Sequence, residues 1–260
     1  MSWSALLLRV ALAGAAIIGI WRGTSALPGV GSGYDPATHL MRGTGISLLV
    51  LLVIALLLRV DRLHWRDIGR QDVRSNLRAF ALGAALWLLP ALAGTAACVA
   101  FGWTSITLQS TPSAILLALP PLALGVFLVE AFPEELALRG YVQGLVARKA
   151  APWVALLGQM VVFVGFAWAV GALHSIEQWM FIPGLALILG YVRALTGNVW
   201  ACMGVHCAWM TCTQLLNGHA GIEGLQTLQF LAFALLPSAT IGATLGVLKP
   251  DFSWRRAATA

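Results

Sequence analysis

The sequence predicts an all-α fold, a polytopic membrane bundle of about eight transmembrane helices, on three observations. Of the 260 residues, 59% are hydrophobic and only 10% are charged, whereas a soluble domain has about a quarter charged residues. The mean hydropathy is +0.84. Apolar stretches of roughly 20 residues, the length that crosses a bilayer, recur along the whole chain. We therefore expect one integral membrane domain over residues 1–260.

Eight apolar stretches are long enough to be membrane spans. The first contains a basic residue, Arg9, inside its apolar run and is followed by no small-x-small cleavage site. We therefore interpret it as a span rather than as a signal peptide. The predicted spans are residues 5–21, 44–60, 79–101, 113–132, 153–172, 180–196, 198–216 and 226–248.

The distribution of positive charge predicts the orientation of the bundle. If the spans alternate in direction, nearly all basic residues in the connections fall on one side, and only Arg22 and Arg42 fall on the other. Cytoplasmic loops carry an excess of Lys and Arg. We therefore expect both termini in the cytoplasm and the chain in a bacterial inner membrane. The residues on the basic side are Arg59, Arg62, Arg66, Arg70, Arg74, Arg78, Arg139, Arg148, Lys149, Arg193, Lys249, Arg255 and Arg256.

The connection at about residues 61–78 mixes apolar side chains with arginines and aspartates. This mixture is typical of a short amphipathic helix that lies in the headgroup layer. A solvated basic connector explains the same residues equally well, and the sequence alone leaves both interpretations open.

Three glutamates at the end of the fourth span are the strongest sign of chemistry. Ionisable residues within a span are expensive and usually functional. In a helix, Glu130 and Glu134 lie one turn apart on one face, and Glu135 forms an i,i+4 pair with Arg139. One carboxylate that can take a proton, beside another that Arg139 keeps ionised, is a general-base arrangement. The alternative is an ordinary helix end at the water boundary.

The run Glu-Glu-x-x-x-Arg-Gly at residues 134–140 resembles the first motif of the CPBP family, the CAAX proteases and bacteriocin-processing enzymes. These are intramembrane glutamate proteases. The basic connector at residues 141–153 is similar to the connector that follows this motif in the family. The run Gly-Tyr-x5-Thr-Gly-x-x-Trp at residues 190–200, with His206 six residues later, is similar to the family's third-motif region. The resemblance covers about residues 65–216.

The resemblance implies a catalytic role for five residues. Glu134 corresponds to the glutamate that activates water, with Glu135 and Arg139 as its support. His206 corresponds to a histidine that stabilises the oxyanion, because an imidazole N–H at bilayer depth can meet a developing negative charge. His174 is the nearest candidate for the second histidine, which assists the glutamate in the family.

This chain departs from the family pattern at two positions. The second motif, Phe-x-x-x-His, aligns with Phe163 to Ala167, so alanine stands where the histidine belongs. His174 follows seven residues later, either on the same helical face about 10 Å further along or in an outer loop. The family's Asn or Asp four residues after the third-motif histidine is replaced by Met210, which cannot donate a hydrogen bond. Thr211 or Thr213 could compensate weakly.

Three functions fit these residues. The first is an intramembrane endopeptidase that hydrolyses a membrane-tethered peptide, such as a prenylated or hydrophobic C-terminal tail. The second is a catalytically degenerate family member that acts as a membrane scaffold, immunity or partner-binding protein. The third is a small transporter with Glu130 and Glu134 as a proton relay. His174 within reach of Glu134 favours the first function, whereas an imidazole that faces the outer aqueous side favours the second.

The expected partners are the lipid bilayer and a membrane-anchored or hydrophobic peptide, with no nucleic acid. The mechanism requires no cofactor in principle, although it leaves room for a divalent metal. Cys202 and His206 are spaced i,i+4 and could share a metal site, but zinc usually needs three or four converging ligands. We therefore interpret the cysteines as small buried thiols. They are Cys98, Cys202, Cys207 and Cys212.

Overall fold

The computed structural model describes residues 2–26, 35–69 and 71–255, most of which form long helices. Arg70 and Arg256, two of the basic residues used to predict the orientation, lie outside the described residues. The helices are α1 (Trp3–Ser25), α2 (Pro36–Asp61), α3 (Val73–Ala100), α4 (Pro112–Ala147), α5 (Pro152–Ala169), α6 (Ile176–Thr196), α7 (Val199–His219) and α8 (Leu225–Leu248).

The helix bundle confirms the predicted fold class. Seven helices in the described part of the chain, all except α7, are long and apolar enough to cross a membrane. Helix α7 has 21 residues, but it carries several polar side chains and packs against α3, α4 and α6. Large apolar side chains elsewhere point outwards, for example Leu117 at 77% exposed and Val247 at 79% exposed. An apolar exterior of this kind is what lipid tails cover.

The buried apolar side chains form two main clusters. The first joins α1, α2, α4 and α5, and the second joins α3, α6, α7 and α8. Helix α7 contributes to both clusters, through Met203 to the first and Cys202 to the second. Polar side chains on α4 and α7 therefore meet where the two halves of the bundle join.

Helices α3 and α7 approach each other closely at two glycines. A Cβ atom on Gly83 would lie 2.0 Å from the carbonyl oxygen of Ala201, and a Cβ atom on Gly204 would lie 2.1 Å from the carbonyl oxygen of Phe80. Because these obstacles are backbone atoms, no side-chain rotation can relieve the clash. Small residues that let two backbones approach are typical of helix packing in membranes.

Replacing Gly204 with valine should separate α3 from α7 and prevent stable folding, because overpacking that cannot relax costs about 1–3 kcal/mol or more. The yield of monodisperse protein in detergent and its melting temperature measure the effect. The matched control is Gly19→Val on α1, where no atom lies within 4 Å of the added Cβ. Equal losses in both variants would contradict the close-packing explanation.

Helix α4 differs most from its prediction. The predicted span ended at residue 132, but the helix runs without a break from Pro112 to Ala147. The predicted connector at residues 61–78 also differs from expectation. It contains a four-residue 3-10 turn, Trp65–Ile68, and α3 begins at Val73. Ile68 is buried at 1% exposed, so part of the connector packs into the bundle.

The ends of the helices are tied together at both faces of the bundle. At one face, strand β1 (Ser105–Leu108) pairs antiparallel with strand β2 (Ala220–Glu223), in the register Ser105 opposite Glu223. At the same face, the guanidinium of Arg22 caps the C-terminal end of α5 by donating to the carbonyl oxygen of Ala169 at 2.6 and 2.8 Å.

At the opposite face, the amide N–H of Val199 donates to the carbonyl oxygen of Gly69 at 3.0 Å. The Lys149 ammonium lies 4.9 Å from the centroid of the Trp3 ring, so the start of α1 is at this face. Phe252 lines a pocket with Gly144 and Pro152, so the chain after α8 is at this face too. The two ends of the described chain therefore lie on the same side, as the alternating spans predict.

Candidate active site

Helix α4 carries the glutamate motif into the interior of the bundle. Two stretches of α4 are π-helical, Phe127–Ala131 and Glu135–Val142. They flank Pro133, which lacks the N–H that an α-helix would use. Insertions of π-helix within an α-helix occur frequently at functional sites, because they shift the side chains out of the regular repeat. The motif lies within a buried helix and not at a solvated helix end.

The carboxylate of Glu135 is the centre of a buried polar cluster. Its Oε1 atom accepts a hydrogen bond from Nη1 of Arg139 at 2.9 Å, which is the predicted i,i+4 pair. The same oxygen lies 2.9 Å from Nδ1 of His206 on α7. Glu135 and Arg139 are 0% exposed and His206 is 2% exposed. One carboxylate thus joins a guanidinium and an imidazole out of contact with solvent.

Contacts from two other helices fix the Arg139 side chain and backbone. The guanidinium lies over the ring of Phe163 on α5, 4.5 Å from its centroid, a cation–π contact. The Arg139 carbonyl oxygen accepts from Nε of Arg193 on α6 at 3.2 Å. Within the described part of the chain, Arg139 Nε and Nη2 and Glu135 Oε2 are buried without a hydrogen-bond partner. The cluster therefore keeps polar atoms that a substrate peptide group or a water molecule could engage.

Glu134 lies beside this cluster but is not tied into it. Its side chain is buried, with the residue 7% exposed. Among the described residues, it forms no side-chain hydrogen bond, although it interacts electrostatically with His206, Glu130 and Arg139. Glu130, one turn earlier, accepts a hydrogen bond from Nε2 of Gln214 at 3.0 Å. Glu134 is therefore the glutamate of this motif whose whole carboxylate is without a hydrogen-bond partner among the described residues.

The contact between Glu135 and His206 is one that no sequence pattern predicts. The two residues are 71 positions apart, and nothing in the local spacing of either motif links them. The contact holds the imidazole through Nδ1 and leaves Nε2 without a protein hydrogen bond in the described structure. Nε2 is thus the imidazole nitrogen that remains available for a further contact.

His174 lies outside this cluster. It is an exposed residue in the loop between α5 and α6. Its Nδ1 atom is 3.3 Å from the carbonyl oxygen of Gly171 and its Nε2 atom is 3.2 Å from the side-chain amide of Gln178. Of the two positions predicted for His174, the outer loop is therefore correct and the helical face of α5 is not. On α5, the position facing Arg139 is held by Phe163, and Ala167, one turn later, is buried without a polar side chain.

A cavity of about 650 Å³ lies between α6, α7 and α8. Met210, one turn after His206 on α7, and Thr213 line it, together with His174 on its outer wall. The hydroxyl of Thr213 is buried without a hydrogen-bond partner among the described residues. The hydroxyl of Thr211 is instead 3.9 Å from the sulfur of Cys207.

The cysteines are free thiols. Three of them are buried, as predicted, whereas Cys212 is only half-buried. In the described part of the chain, no group of three or more His, Cys, Asp or Glu side chains converges in a way that could hold a metal ion. The pairing of Cys202 with His206 also does not form, because the Cys202 thiol is directed to the carbonyl oxygen of Leu189 at 3.4 Å.

The fold and the cluster together define a polytopic membrane protein with a glutamate, arginine and histidine site inside its helices. Residues 116–212 match the family described as "Rce1-like: Type II CAAX prenyl endopeptidase Rce1-like". This segment runs from α4 to α7 and contains all five predicted site residues. The match supports the family identified from the motifs, and over this segment the chain is similar to the CAAX-type intramembrane proteases. A search of curated proteins gave no significant match.

Proposed function

We propose that this protein is an intramembrane endopeptidase in which Glu134 activates a water molecule to hydrolyse a membrane-tethered peptide. The observation that carries the proposal is the bridge made by Glu135, whose Oε1 atom is 2.9 Å from both Arg139 and His206. This bridge fixes an imidazole close to a second buried carboxylate, that of Glu134. A general base and a hydrogen-bond donor held together in a protected site are the two parts that peptide hydrolysis needs.

Each side chain has a distinct role in the proposed reaction. Glu134 takes a proton from water as the oxygen attacks the carbonyl carbon of the peptide. His206 donates from Nε2 to the oxyanion when its imidazole carries both protons. As the C–N bond breaks, Glu134 returns the proton to the departing amine. Glu135 and Arg139 act as positioning residues, because they orient His206 and keep a fixed charge beside Glu134.

The cavity between α6, α7 and α8 is the proposed binding site for the peptide. Its volume of about 650 Å³ lies within the range of about 300–1,000 Å³ typical of ligand pockets. Its apolar lining, including Phe181, Trp209 and Phe233, suits a hydrophobic segment. Met210 places the inner end of the cavity one turn from His206. His174 on the outer wall would contact the peptide and not the attacking water.

A second function, a catalytically degenerate family member that binds a partner in the membrane, is favoured by the surroundings of the site. The exposure of His174 to solvent favours this function, because the imidazole cannot then assist Glu134. On α5, Phe163 and Ala167 lie where an assisting imidazole would act. Met210 supplies no hydrogen bond to an oxyanion. The buried ion pair of Glu135 and Arg139 could then have a purely structural role, as a fixed polar contact inside the bundle.

The two functions can be distinguished by restoring the missing groups with Ala167→His and Met210→Asn. If the wild-type protein is an endopeptidase, it cleaves fluorogenic membrane-tethered peptides in proteoliposomes, and the double variant cleaves them faster, by roughly 10²-fold for an added acid–base group. Adding Glu134→Gln to the double variant is the control and should remove the gain. If the double variant cleaves the peptide and the wild type does not, the result would favour the catalytically degenerate, partner-binding function. No cleavage by either protein would contradict the endopeptidase proposal.

A further inference from the structure

The cavity between α6, α7 and α8 opens at the face of the bundle that carries β1 and β2. Glu177 lines it in the first turn of α6, and Leu225 lines it at the start of α8. Asn217 lines it in the last turn of α7, just before β2 begins. The two ends of the described chain lie at the opposite face. The mouth of the cavity therefore faces away from the side that holds these ends and most of the basic residues.

The lining of this cavity changes from polar to apolar with depth. Gln226 at the mouth is exposed, whereas Leu185, Trp209 and Phe233 at the inner end are buried. Trp209 follows His206 by less than one turn of α7, so the apolar end approaches the glutamate cluster. A hydrophobic peptide segment therefore fits with its end inside and with its chain leaving through the mouth. The polar side chains near the mouth are His174, Ser175, Glu177, Gln178, Asn217 and Gln226.

A hydroxyl group lies along this route. Thr213 lines the cavity about one turn of α7 from Asn217 at the mouth and one turn from Met210 at the inner end. Its hydroxyl is buried without a hydrogen-bond partner among the described residues. A peptide inside a bundle needs partners for its backbone N–H and C=O groups. Thr213 can supply one of them to an extended segment.

Towards the basic face, the glutamate cluster is covered by closely packed residues. Tyr141 and Val142, in the turn of α4 that follows Arg139, are buried. The connector before α3 lies against the same turn, because a Cβ atom on Gly140 would be 3.4 Å from the carbonyl oxygen of Ile68. Ile68 is itself buried. A peptide that approached from the basic face would therefore have to displace the connector.

We propose that the peptide substrate enters from the face of β1 and β2, and that it is the hydrophobic end of a chain anchored at the non-cytoplasmic surface of the membrane. This inference rests on the proposed function of the cavity as the peptide site. The basic face is the one expected in the cytoplasm, so the mouth opens on the other side. A prenylated tail presented from the cytoplasm is the alternative, and it requires movement of the connector.

Photo-crosslinking can test the route without any cleavage of the peptide. The photoreactive amino acid p-benzoylphenylalanine is incorporated at Gln226 or at Phe181, deeper in the cavity, in the Glu134→Gln background. The protein is reconstituted sparsely into sealed vesicles, and a C-terminal tag separates those with the basic face outside from those with β1 and β2 outside. A hydrophobic peptide, joined to a lipid headgroup through a charged linker, is then added to the outside.

Crosslinking at Gln226 and Phe181 should be about tenfold or more stronger in vesicles with β1 and β2 outside, because a charged linker does not cross the hydrocarbon core. Two control positions are exposed and lie outside the cavity, Ser113 at the start of α4 and Arg62 at the basic face. Both should give only background crosslinking.

A bulky residue in the cavity should block the route. Gln229→Trp narrows the cavity that Gln229 lines, and most of the crosslinking at Phe181 should be lost. Phe230→Trp is the matched control, because the next residue of α8 is 49% exposed on the outside of the bundle, and crosslinking should be retained. Size-exclusion profiles in detergent verify that both variants are folded.

Three results would overturn the proposed route. They are crosslinking at Gln226 no stronger than at Ser113, crosslinking that is stronger when the basic face is outside, and equal losses in Gln229→Trp and Phe230→Trp. The outcome is separate from that of the endopeptidase proposal. A wild-type protein that never cleaves the peptide, although the peptide crosslinks at Phe181 from the face of β1 and β2, would contradict the endopeptidase and leave the route in place. Cleavage of peptide added only at the basic face would support the endopeptidase and overturn the route.

Discussion

Glu134→Gln should abolish peptide hydrolysis while the protein still folds. Glutamine keeps the shape of the side chain but cannot take a proton from water, and loss of a general base typically lowers the rate by about 10²- to 10⁴-fold. Folding should be retained because Glu134 forms no side-chain hydrogen bond among the described residues, so no buried partner loses its acceptor. The initial rate of cleavage of a membrane-tethered peptide and the melting temperature measure the two effects separately.

Two further glutamates serve as controls for this result. Glu223→Gln alters an exposed residue of strand β2 and should leave the rate unchanged. Glu130→Gln alters a buried carboxylate one turn from Glu134 that already has a partner, Gln214, and should have a smaller effect than Glu134→Gln. A wild-type rate in Glu134→Gln would exclude Glu134 as the base. Equal losses in Glu130→Gln and Glu134→Gln would favour a proton relay over a single base.

Glu135→Gln should strongly destabilise the protein. It would leave the fully buried guanidinium of Arg139 without its carboxylate, and removing one partner of a buried ion pair costs about 3–5 kcal/mol. It would also release His206 from its contact at Nδ1, so activity should fall in whatever fraction of the protein remains folded. Unfolding in mixed micelles, monitored by circular dichroism, gives the change in the free energy of unfolding.

The double variant Glu135→Gln with Arg139→Met separates charge from packing. Methionine removes the charge that Glu135→Gln leaves unpaired while filling part of the same volume, and the uncompensated buried charge is the main cost of breaking such a pair. The double variant should therefore be more stable than Glu135→Gln alone, yet inactive if the pair positions His206. A double variant that is as unstable as the single one would show that packing, not the unpaired charge, causes the loss.

Much of the fold could be predicted from the sequence because lipid imposes a simple rule on composition. A span of about 20 apolar residues is visible in any window, and all eight predicted spans correspond to helices. The pairing of Glu135 with Arg139 was equally accessible, since a spacing of four residues places two side chains together on a helix.

The remaining features depend on contacts that no local pattern encodes. The apolar pattern of α4 weakens at Glu130, so the sequence indicated a helix end, whereas the neighbouring helices α2, α5 and α7 cover the polar turns and the helix continues. The bridge from Glu135 to His206 is a tertiary contact. The position of His174 depends on where α5 ends. Gly171 follows the end of α5 closely and has a left-handed backbone with φ of 82°. This glycine is the sequence signal that could have placed His174 in a loop.

The unbroken course of α4 has a consequence for the surrounding membrane. At 36 residues the helix is roughly 54 Å long, against a hydrocarbon thickness of about 30 Å. A helix longer than the hydrocarbon layer is accommodated by tilting, by kinking or by local thickening of the bilayer. We therefore expect α4 to be inclined well away from the membrane normal or to extend past the hydrocarbon layer into the headgroups. The length of this one helix thus sets a lower limit on how far the protein must tilt or how far it reaches out of the lipid tails.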